Sequence, residues 1–242
     1  MNRIAPLALL ALLGNSAAAQ LSPKPADAVL PVVGSTRGQS NANFKTELQM
    51  ANPSGDEMSG WLYLRPAGLV RRYEIPAHGT LSFDDVVAEM GGTGLGSLDV
   101  LADRSAVPTI IARAYDDQPA GTTGVTVPAV PIDEILIRNE SGILIAPRNL
   151  GGRYRFNIGV RAMENGAVLE LITRNAAGTQ RHFRSLELTE NQFFQQPGDT
   201  FAGVALAGGD SIEVRFTAGS AIVYATTVDN ATNDSSIQVL KR

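Results

Sequence analysis

The sequence predicts an all-β protein of two tandem antiparallel β-sandwiches of the immunoglobulin-like kind, with no long helix after the first 19 residues. Three observations predict this fold class. Apolar and polar residues alternate over several short segments, as in strands that bury one face. The 24 glycines and 13 prolines fall largely between those segments, where they mark turns. Similar segments also recur about 110 residues apart, a spacing that indicates duplication of a domain-sized unit.

The N-terminus has the pattern of a cleaved secretory signal peptide. Arg3 supplies a positive charge, residues 4–13 form a short apolar run, and small residues follow up to Ala19. This tripartite pattern is typical of export signals, and the run is shorter than the roughly 20 residues of a membrane-spanning helix. We therefore expect an exported protein, periplasmic or extracellular, cleaved near Ala19 and Gln20, with an extended leader over residues 20–28.

Charge and cysteine content exclude several classes of protein. The net charge is −4, and removal of residues 1–19, which contain Arg3 and no acidic residue, makes it −5. An acidic chain has no electrostatic reason to bind nucleic acid or an anionic membrane, and we expect neither as a partner. No later apolar run is long enough to span a membrane. The absence of cysteine excludes disulfides, thiolate nucleophiles and a lipid-modified N-terminal cysteine.

The first sandwich is predicted over residues 29–127. Its clearest strand is residues 44–50, in which Phe44, Thr46, Leu48 and Met50 share one face and charged or amide side chains share the other. A second strand surrounds Trp61, and residues 83–90 are compatible with one or two helical turns. The proline-containing segment 126–131 is predicted as a connector between the two sandwiches.

The second sandwich is predicted over residues 128–242. Residues 154–160 alternate in the same phase as residues 44–50, and Glu164-Asn165-Gly166 is predicted as the following turn. Residues 211–234 are predicted as two strands joined by a turn of small residues and followed by a polar loop. Residues 97–117 show the same order of strand, turn and strand, so this pair is expected in both units. A single larger all-β domain is the alternative.

Two motifs in the second unit resemble those of a poorly characterised repeat of exported bacterial proteins. The resemblance is carried by an opening strand and a closing segment, whose matching residues are Arg155, Asn157 and Gly159, and Tyr224, Ala225, Val228, Asp229, Asn230, Thr232 and Asp234. It covers most of residues 126–242, whereas residues 44–46 and 114–117 of the first unit depart from both motifs. The resemblance implies a secreted, non-enzymatic β-sandwich module and supplies no catalytic residues.

No catalytic constellation stands out. The only histidines are His78 and His182, one in each unit, and no Gly-x-Ser-x-Gly or His-Glu-x-x-His motif is present, although hydrolytic triads and zinc sites need such groups close together. The adjacent carboxylates Asp84-Asp85 and Asp116-Asp117 point to opposite faces if they lie on strands. We therefore predict that the protein is not an enzyme.

Two groups of residues are candidate ligand-binding sites. Trp61 and Tyr63 alternate with leucines, so these aromatic rings are predicted either in the core or on an exposed face that stacks on a sugar or contacts a protein. Arg153, Arg155 and Arg161 fall on one strand face and are predicted as a basic docking stripe, with protection of an edge strand from aggregation as the alternative.

Calcium is the only cofactor that the sequence suggests. Oxygen-bearing side chains follow one another closely at Asp229, Asn230, Thr232 and Asp234, as in loops that bind a hard cation. The spacing is not that of an EF-hand, and the same residue types build turns by bonding to their own backbone. The turn is the favoured interpretation.

These observations predict a non-enzymatic exported binding or structural module that contacts a protein or glycan outside the cytoplasm. A carbohydrate-binding protein, with Trp61 or Tyr63 as the stacking platform, and a calcium-dependent adhesion protein are the alternatives.

Overall fold

The computed structural model describes residues 26–38, 41–104 and 106–242. The predicted signal peptide and residues 20–25 of the predicted leader lie outside the described residues. Two antiparallel sheets, one of nine strands and one of seven, account for nearly all of the regular structure. The two α-helices are one turn long. The predicted all-β class with two sandwiches is therefore confirmed.

Within the described residues the elements follow one another as sixteen strands and two short α-helices, with a 3₁₀ turn at Ile132–Glu134 between β9 and β10. In order they are β1 Ala28–Arg37, β2 Asn43–Ala51, β3 Met58–Arg65, β4 Leu69–Ile75, β5 Thr80–Phe83, α1 Val86–Glu89, β6 Gly94–Ala102, β7 Thr109–Gln118, β8 Gly121–Val127, β9 Val130–Pro131, β10 Leu136–Ile137, β11 Ser141–Ile145, β12 Tyr154–Arg174, β13 Gln180–Leu188, β14 Phe193–Pro197, α2 Gly198–Ala202, β15 Ser211–Asp229 and β16 Ser235–Leu240.

Strand β1 joins the two layers of the N-terminal sandwich. Its first part pairs with β6 and β9, and its end, at Thr36 and Arg37, pairs with β2. One layer therefore runs β4-β3-β6-β1, and the other runs β1-β2-β7-β8 with β5 also on β2. The predicted alternation of residues 44–50 is confirmed in β2, where Thr46, Leu48 and Met50 are buried.

Two long strands, β12 and β15, run through both layers of the C-terminal sandwich. The sequence predicted a turn in each, at residues 164–166 and near residue 219, and both predictions were wrong. Each strand instead continues across a β-bulge. Gly166 and Gly219 both have φ +65°, and a Cβ on Gly219 would lie 2.0 Å from the carbonyl oxygen of Gly166. Small residues are needed here because the two strands bend at the same place.

The two sandwiches share one pairing scheme. In the first sandwich β2 pairs with β7, β3 with β6 and β7 with β8. In the second sandwich the first half of β12 pairs with the second half of β15, the second half of β12 pairs with the first half of β15, and β15 also pairs with β16. β13, β14 and α2 likewise follow the order of β4, β5 and α1. The second copy differs in that β12 replaces β2 and β3, and β15 replaces β6 and β7.

Each sandwich has its own apolar core. The C-terminal core is built from its own strands and α2, with Phe201, Val214 and Phe216 among the buried residues. The N-terminal core contains Leu30, Leu62 and Phe83, and Tyr224 of the C-terminal sandwich packs against it. The cores therefore meet where the two sandwiches touch.

The segment between the sandwiches is short and paired. β9 pairs with β1 of the first sheet, just beyond the predicted boundary at residue 127. Ala26 is buried and Ala28 begins β1, so the last residues of the predicted leader are packed strand rather than free chain. Among the described residues, no helix has the length and apolar character needed to cross a membrane.

A glycine and a tyrosine face each other across β12 and β15 on the surface that meets the first sandwich. Gly159 pairs with Tyr224, and a Cβ on Gly159 would lie 2.1 Å from Cζ of the Tyr224 ring. That ring is fully buried, and burial raises the pKa of its phenol. Gly60 and Tyr73 repeat the arrangement across β3 and β4. In both places the ring of a tyrosine packs over a glycine on the neighbouring strand, an arrangement that compensates for the missing side chain of the glycine.

We expect Gly159→Ala to destabilise the protein by about 1–3 kcal/mol, because a buried ring cannot move aside without strain in the surrounding core. Gly55→Ala is the control, since a Cβ there meets nothing within 4 Å and the change is expected to stay within about 0.5 kcal/mol. Urea unfolding of both variants measures the difference. Equal stability of the two variants would contradict the packing described for Tyr224.

Candidate functional site: the junction between the sandwiches

The contact between the two sandwiches, called the junction below, has an apolar patch at one end. Its buried members come from both sheets and from the segment that joins them: Ala26, Val29, Leu101, Val130, Ile135, Met163 and Ile222. Tyr63 and Val239 pack against this patch. Because strands β1 and β6 contribute their outward faces here, a surface that would be exposed in an isolated sandwich becomes interior.

A buried ion pair lies beside the apolar patch. Nη2 of Arg161, on β12, donates to Oδ2 of Asp99, on β6, at 2.7 Å. The exposed fraction is 1% for Arg161 and 3% for Asp99. Arg161 also donates to the carbonyl of Ala162. Among the described residues, the carboxylate that neutralises Arg161 at close range therefore comes from the other sandwich, which ties the relative position of the two units to this contact.

Two guanidinium groups share the one carboxylate. Nε of Arg65 lies 3.2 Å from the same Oδ2 of Asp99, and Arg65 reaches partly to solvent. Oδ1 of Asp99, Oγ of Ser97 and Nε of Arg161 have no hydrogen-bond partner among the described residues. The pair is therefore incompletely satisfied, and such pairs often contribute little net stability although the loss of one member is costly.

A second polar contact crosses the junction at Asn233. Its Nδ2 donates to Oδ2 of Asp116 at 3.1 Å, and its Oδ1 accepts from Nη2 of Arg155 at 2.8 Å. Asp116 is 1% exposed and Asn233 is 6% exposed. The other oxygen of Asp116 accepts from the amide of Asn43 and from Gln118. The side-chain amide of Asn233 thus lies between the carboxylate of Asp116 and the guanidinium of Arg155, and it connects the polar loop of the C-terminal sandwich to the N-terminal sandwich.

That loop is a hydrogen-bonded turn around Asp229. Oδ1 of Asp229 accepts from the amides of Ala231 and Thr232, at 2.8 and 3.2 Å, and Oδ2 accepts from Nε of Arg153 at 2.8 Å. The amide of Asp229 donates back to the carbonyl of Asp234. Arg153 and the amide of Ala231 together hold the pKa of Asp229 below its usual value. The carboxylate of Asp229 therefore stabilises the turn.

A cavity of about 310 Å³ opens between the sandwiches near this loop; it is called the cleft below. It is lined from the N-terminal sandwich by Val32, Val33, Gly34, Thr36, Arg37, Gly38, Phe44, Lys45, Thr46, Leu95, Ala114 and Val125, and from the C-terminal sandwich by Arg155, Asn157, Gln195, Thr226, Val228 and Ser235. Its volume falls at the small end of the roughly 300–1,000 Å³ typical of ligand sites.

The cleft wall is positively charged although the protein is acidic. Its lining includes Arg37, Lys45 and Arg155 and no carboxylate. Lys45 pairs with Asp117 at 2.7 Å. Arg155 bonds to the neutral amides of Asn230 and Asn233, and its burial lowers the pKa of the guanidinium, against the opposing effect of the acids nearby.

The two aromatic residues predicted as a ligand site, Trp61 and Tyr63, lie in different surroundings: one faces solvent and the other lies in the junction. Trp61 is 37% exposed, so the interpretation of this residue as core was wrong; it lies outward because Leu62 and Leu64 fill the core face of β3. The guanidinium of Arg72 lies 5.3 Å from the centre of the Trp61 ring. Tyr63, by contrast, packs against the apolar patch of the junction.

The three arginines predicted as a basic stripe do not share one exposed surface. Arg153 is exposed and bonds to Asp229, and Arg155 lines the cleft. Arg161 lies on the same strand face but is buried, because the N-terminal sandwich covers that face and supplies Asp99. Of the predicted ligand-binding residues, only Arg155 reaches the cleft.

The four residues predicted as a calcium site lie in the turn around Asp229. Asn230 donates to the carbonyl of Gly152, and Oγ1 of Thr232 accepts from the amide of Asp234. An oxygen of Asp234 accepts from the amide of Ser235. Over residues 26–38, 41–104 and 106–242, no cluster of three or more His, Asp or Glu side chains is arranged to hold a metal ion.

Sequence reasoning missed the roles that Asp99, Asp116 and Asn233 have in the junction and that Arg37 has in the cleft. Asp99 carries a detectable signal, since it is a lone charge in the apolar segment Leu98–Ala102. A charge in such a strand is expected to have a buried partner, although its partner is 62 positions away. Arg37 carries no comparable signal, because only the meeting of two sandwiches places it in a cavity.

Comparison with known proteins adds no assignment, since no protein-family model matches the chain and no curated protein matches its sequence.

We expect Asp99→Asn to lower the free energy of unfolding by about 3–5 kcal/mol, because it leaves the buried guanidinium of Arg161 without a carboxylate. Arg161→Met should cost less than Asp99→Asn, because Arg65 still pairs with Asp99. The double variant Asp99→Leu with Arg161→Met removes both charges and is expected to regain most of the loss.

Lys241→Ala is the matched control for an exposed pair. Lys241 and Glu134 are 50% and 40% exposed, so this change should cost less than about 1 kcal/mol. Chemical denaturation of the four variants provides the measurement. A double variant that loses the sum of the two single losses would contradict the account of this ion pair.

We also expect calcium and EDTA to leave the melting temperature unchanged, because the oxygens of Asp229 are already bonded within the turn. Since the pKa of Asp229 is lowered by folding, its stabilising effect is present above the unfolded-state pKa and is lost as pH falls through the folded-state pKa. Asn233→Ala is the control for the loop: it should lower the melting temperature equally with and without EDTA, because it removes the hydrogen bond to Asp116. A rise in melting temperature with calcium, abolished in Asp229→Asn, would show that the turn is a metal site.

Proposed function

We propose that the protein is a non-enzymatic binding module, exported from the cytoplasm, whose two sandwiches form a frame and whose ligand site is the cleft between them. The observation that carries the proposal is the cleft itself, a concave site with an apolar floor and convergent polar side chains from both sandwiches. Ligand sites of proteins commonly have this composition and commonly lie between domains.

The junction supports this proposal because it fixes the two walls of the cleft. Asn233 and Arg155 connect the loop beside the cleft to Asp116 of the opposite sandwich. The buried pair of Arg161 and Asp99 holds the strands further along the same surfaces. A site whose walls are held in place loses less conformational entropy on binding.

The positions of the titratable residues favour binding over catalysis. His78 lies in a turn with φ +57°, and His182 lies on β13 in the other sandwich. Within the described residues neither imidazole bonds to a serine or a carboxylate. Buried acids such as Asp99 and Asp116 are used in contacts between the sandwiches. Among the cleft residues that the structure describes, none pairs a nucleophile with a base, which is the arrangement that covalent catalysis needs.

One observation favours the carbohydrate-binding alternative, namely the exposure of Trp61. A sugar ring needs a free aromatic face, and one face of Trp61 lies under Arg72, whose guanidinium is held by Glu74 and Asp103. The outward face of β3 is therefore a weaker candidate than the cleft.

The proposal is tested with the uncharged fluorescent probe N-phenyl-1-naphthylamine, which brightens in apolar cavities. We expect the full chain to enhance and blue-shift its emission, and Thr226→Trp to abolish this effect by filling the cleft with an indole ring. Thr122→Trp is the control, since Thr122 is exposed on β8 away from the cleft.

Circular dichroism and melting curves should show both variants folded. Equal probe binding by the two variants, or no binding by the unaltered chain, would overturn the proposal that the cleft takes small molecules.

A further inference from the structure

The cleft combines an apolar floor with one cation, Arg37, that has no partner in the part of the chain that the structure describes. Val32, Val125 and Val228 contribute aliphatic surface. Arg37, at the end of β1, makes no side-chain hydrogen bond or ion pair within the described residues, and its side chain is exposed. An unpaired guanidinium at the mouth of an apolar cavity offers up to five N–H donors in a planar fork.

The other two cations of the cleft differ from Arg37 in how they are compensated. Lys45 is neutralised directly by Asp117. Arg155 is held by neutral amides, and its nearest acids, Asp116 and Asp229, act on it only through space. Counting only partners among the described residues, the wall therefore has one free positive charge, at Arg37, and a second, partly compensated one at Arg155.

Uncharged polar groups line the C-terminal side of the cleft. Asn157 and Thr226 pair across β12 and β15, and Ser235 faces the same space from β16. None of these three side chains bonds to another group within the described residues. Gln195 accepts from the phenol of Tyr224 through Oε1, so its NH₂ group remains available as a donor. Together with Arg37 and Arg155, these groups give the cleft several hydrogen-bond donors around an apolar floor.

We propose that the natural ligand of the cleft is a small carboxylate with an aliphatic chain, bound with its carboxylate at Arg37 and its chain on the valine floor. One carboxylate matches one free guanidinium in charge and in bidentate geometry. An aliphatic chain matches a floor that no polar ligand would cover favourably. The inference rests on the proposed function, because it assigns a ligand class to the same cleft.

The test is isothermal titration of the full chain with octanoate, 1-octanol and octylammonium, which share a chain and differ in charge. Octanoate is expected to bind most tightly and octylammonium most weakly. Arg37→Gln should weaken octanoate binding about tenfold or more, the loss that follows from removal of a charge-assisted hydrogen bond, and should leave 1-octanol binding unchanged. Arg138→Gln is the matched control, since Arg138 is an exposed arginine outside the cleft.

The results distinguish the inference that the ligand is a carboxylate from the proposal that the cleft binds small molecules. If octanoate does not bind, or binds no better than 1-octanol or octylammonium, the carboxylate inference is overturned, and the naphthylamine experiment still decides whether the cleft takes small molecules. If Arg37→Gln and Arg138→Gln weaken octanoate equally, the carboxylate is not held at Arg37, which also overturns the inference. Acetate should bind too weakly to detect; binding equal to that of octanoate would contradict the role of the apolar floor.

Discussion

The burial of Arg161 against Asp99 is the constraint on which the arrangement of the two sandwiches depends. A guanidinium that is 1% exposed is tolerated only when a carboxylate faces it at hydrogen-bond distance, and here that carboxylate belongs to the other sandwich. An apolar surface alone would allow the sandwiches to slide, whereas directional polar contacts, first this buried pair and then the contact of Asn233 with Asp116, select one position. The cleft, which takes its walls from both sandwiches, exists only in that position.

The two sandwiches differ at positions that their pairing schemes place alike. Position 159 holds glycine where the equivalent pairing position in β2 holds Gln49, and Tyr224 stands where Ile111 stands in β7. Ile111 is 58% exposed, whereas Tyr224 is fully buried. The same sheet face is therefore a solvent surface in one sandwich and a contact surface in the other. A large ring over a glycine gives that contact surface a flat apolar area beside the ion pair.

Much of the fold could be predicted from local pattern, because alternation in residues 44–50 and 154–160 reports burial of one face directly. The bends of β12 and β15 could not, since Gly166 and Gly219 indicate that the chain changes direction but not whether it reverses or bulges. The candidate site was harder to predict from the sequence than the fold. Trp61 is exposed and Arg161 is buried, opposite to what side-chain polarity suggests, because the neighbouring sandwich covers one sheet face and leaves another open. The polar turn at Asp229 was recognisable, since Asp and Asn bond locally; the contact from Asn233 to Asp116, 117 positions away, was not.

The central claim is that the junction makes the two sandwiches one cooperative body and so fixes the cleft, and calorimetric unfolding tests it most directly. The account predicts a single transition for the full chain, with a calorimetric enthalpy equal to the van't Hoff enthalpy. Two resolved transitions, or a calorimetric enthalpy about twice the van't Hoff value, would mean that the sandwiches unfold independently and would contradict it.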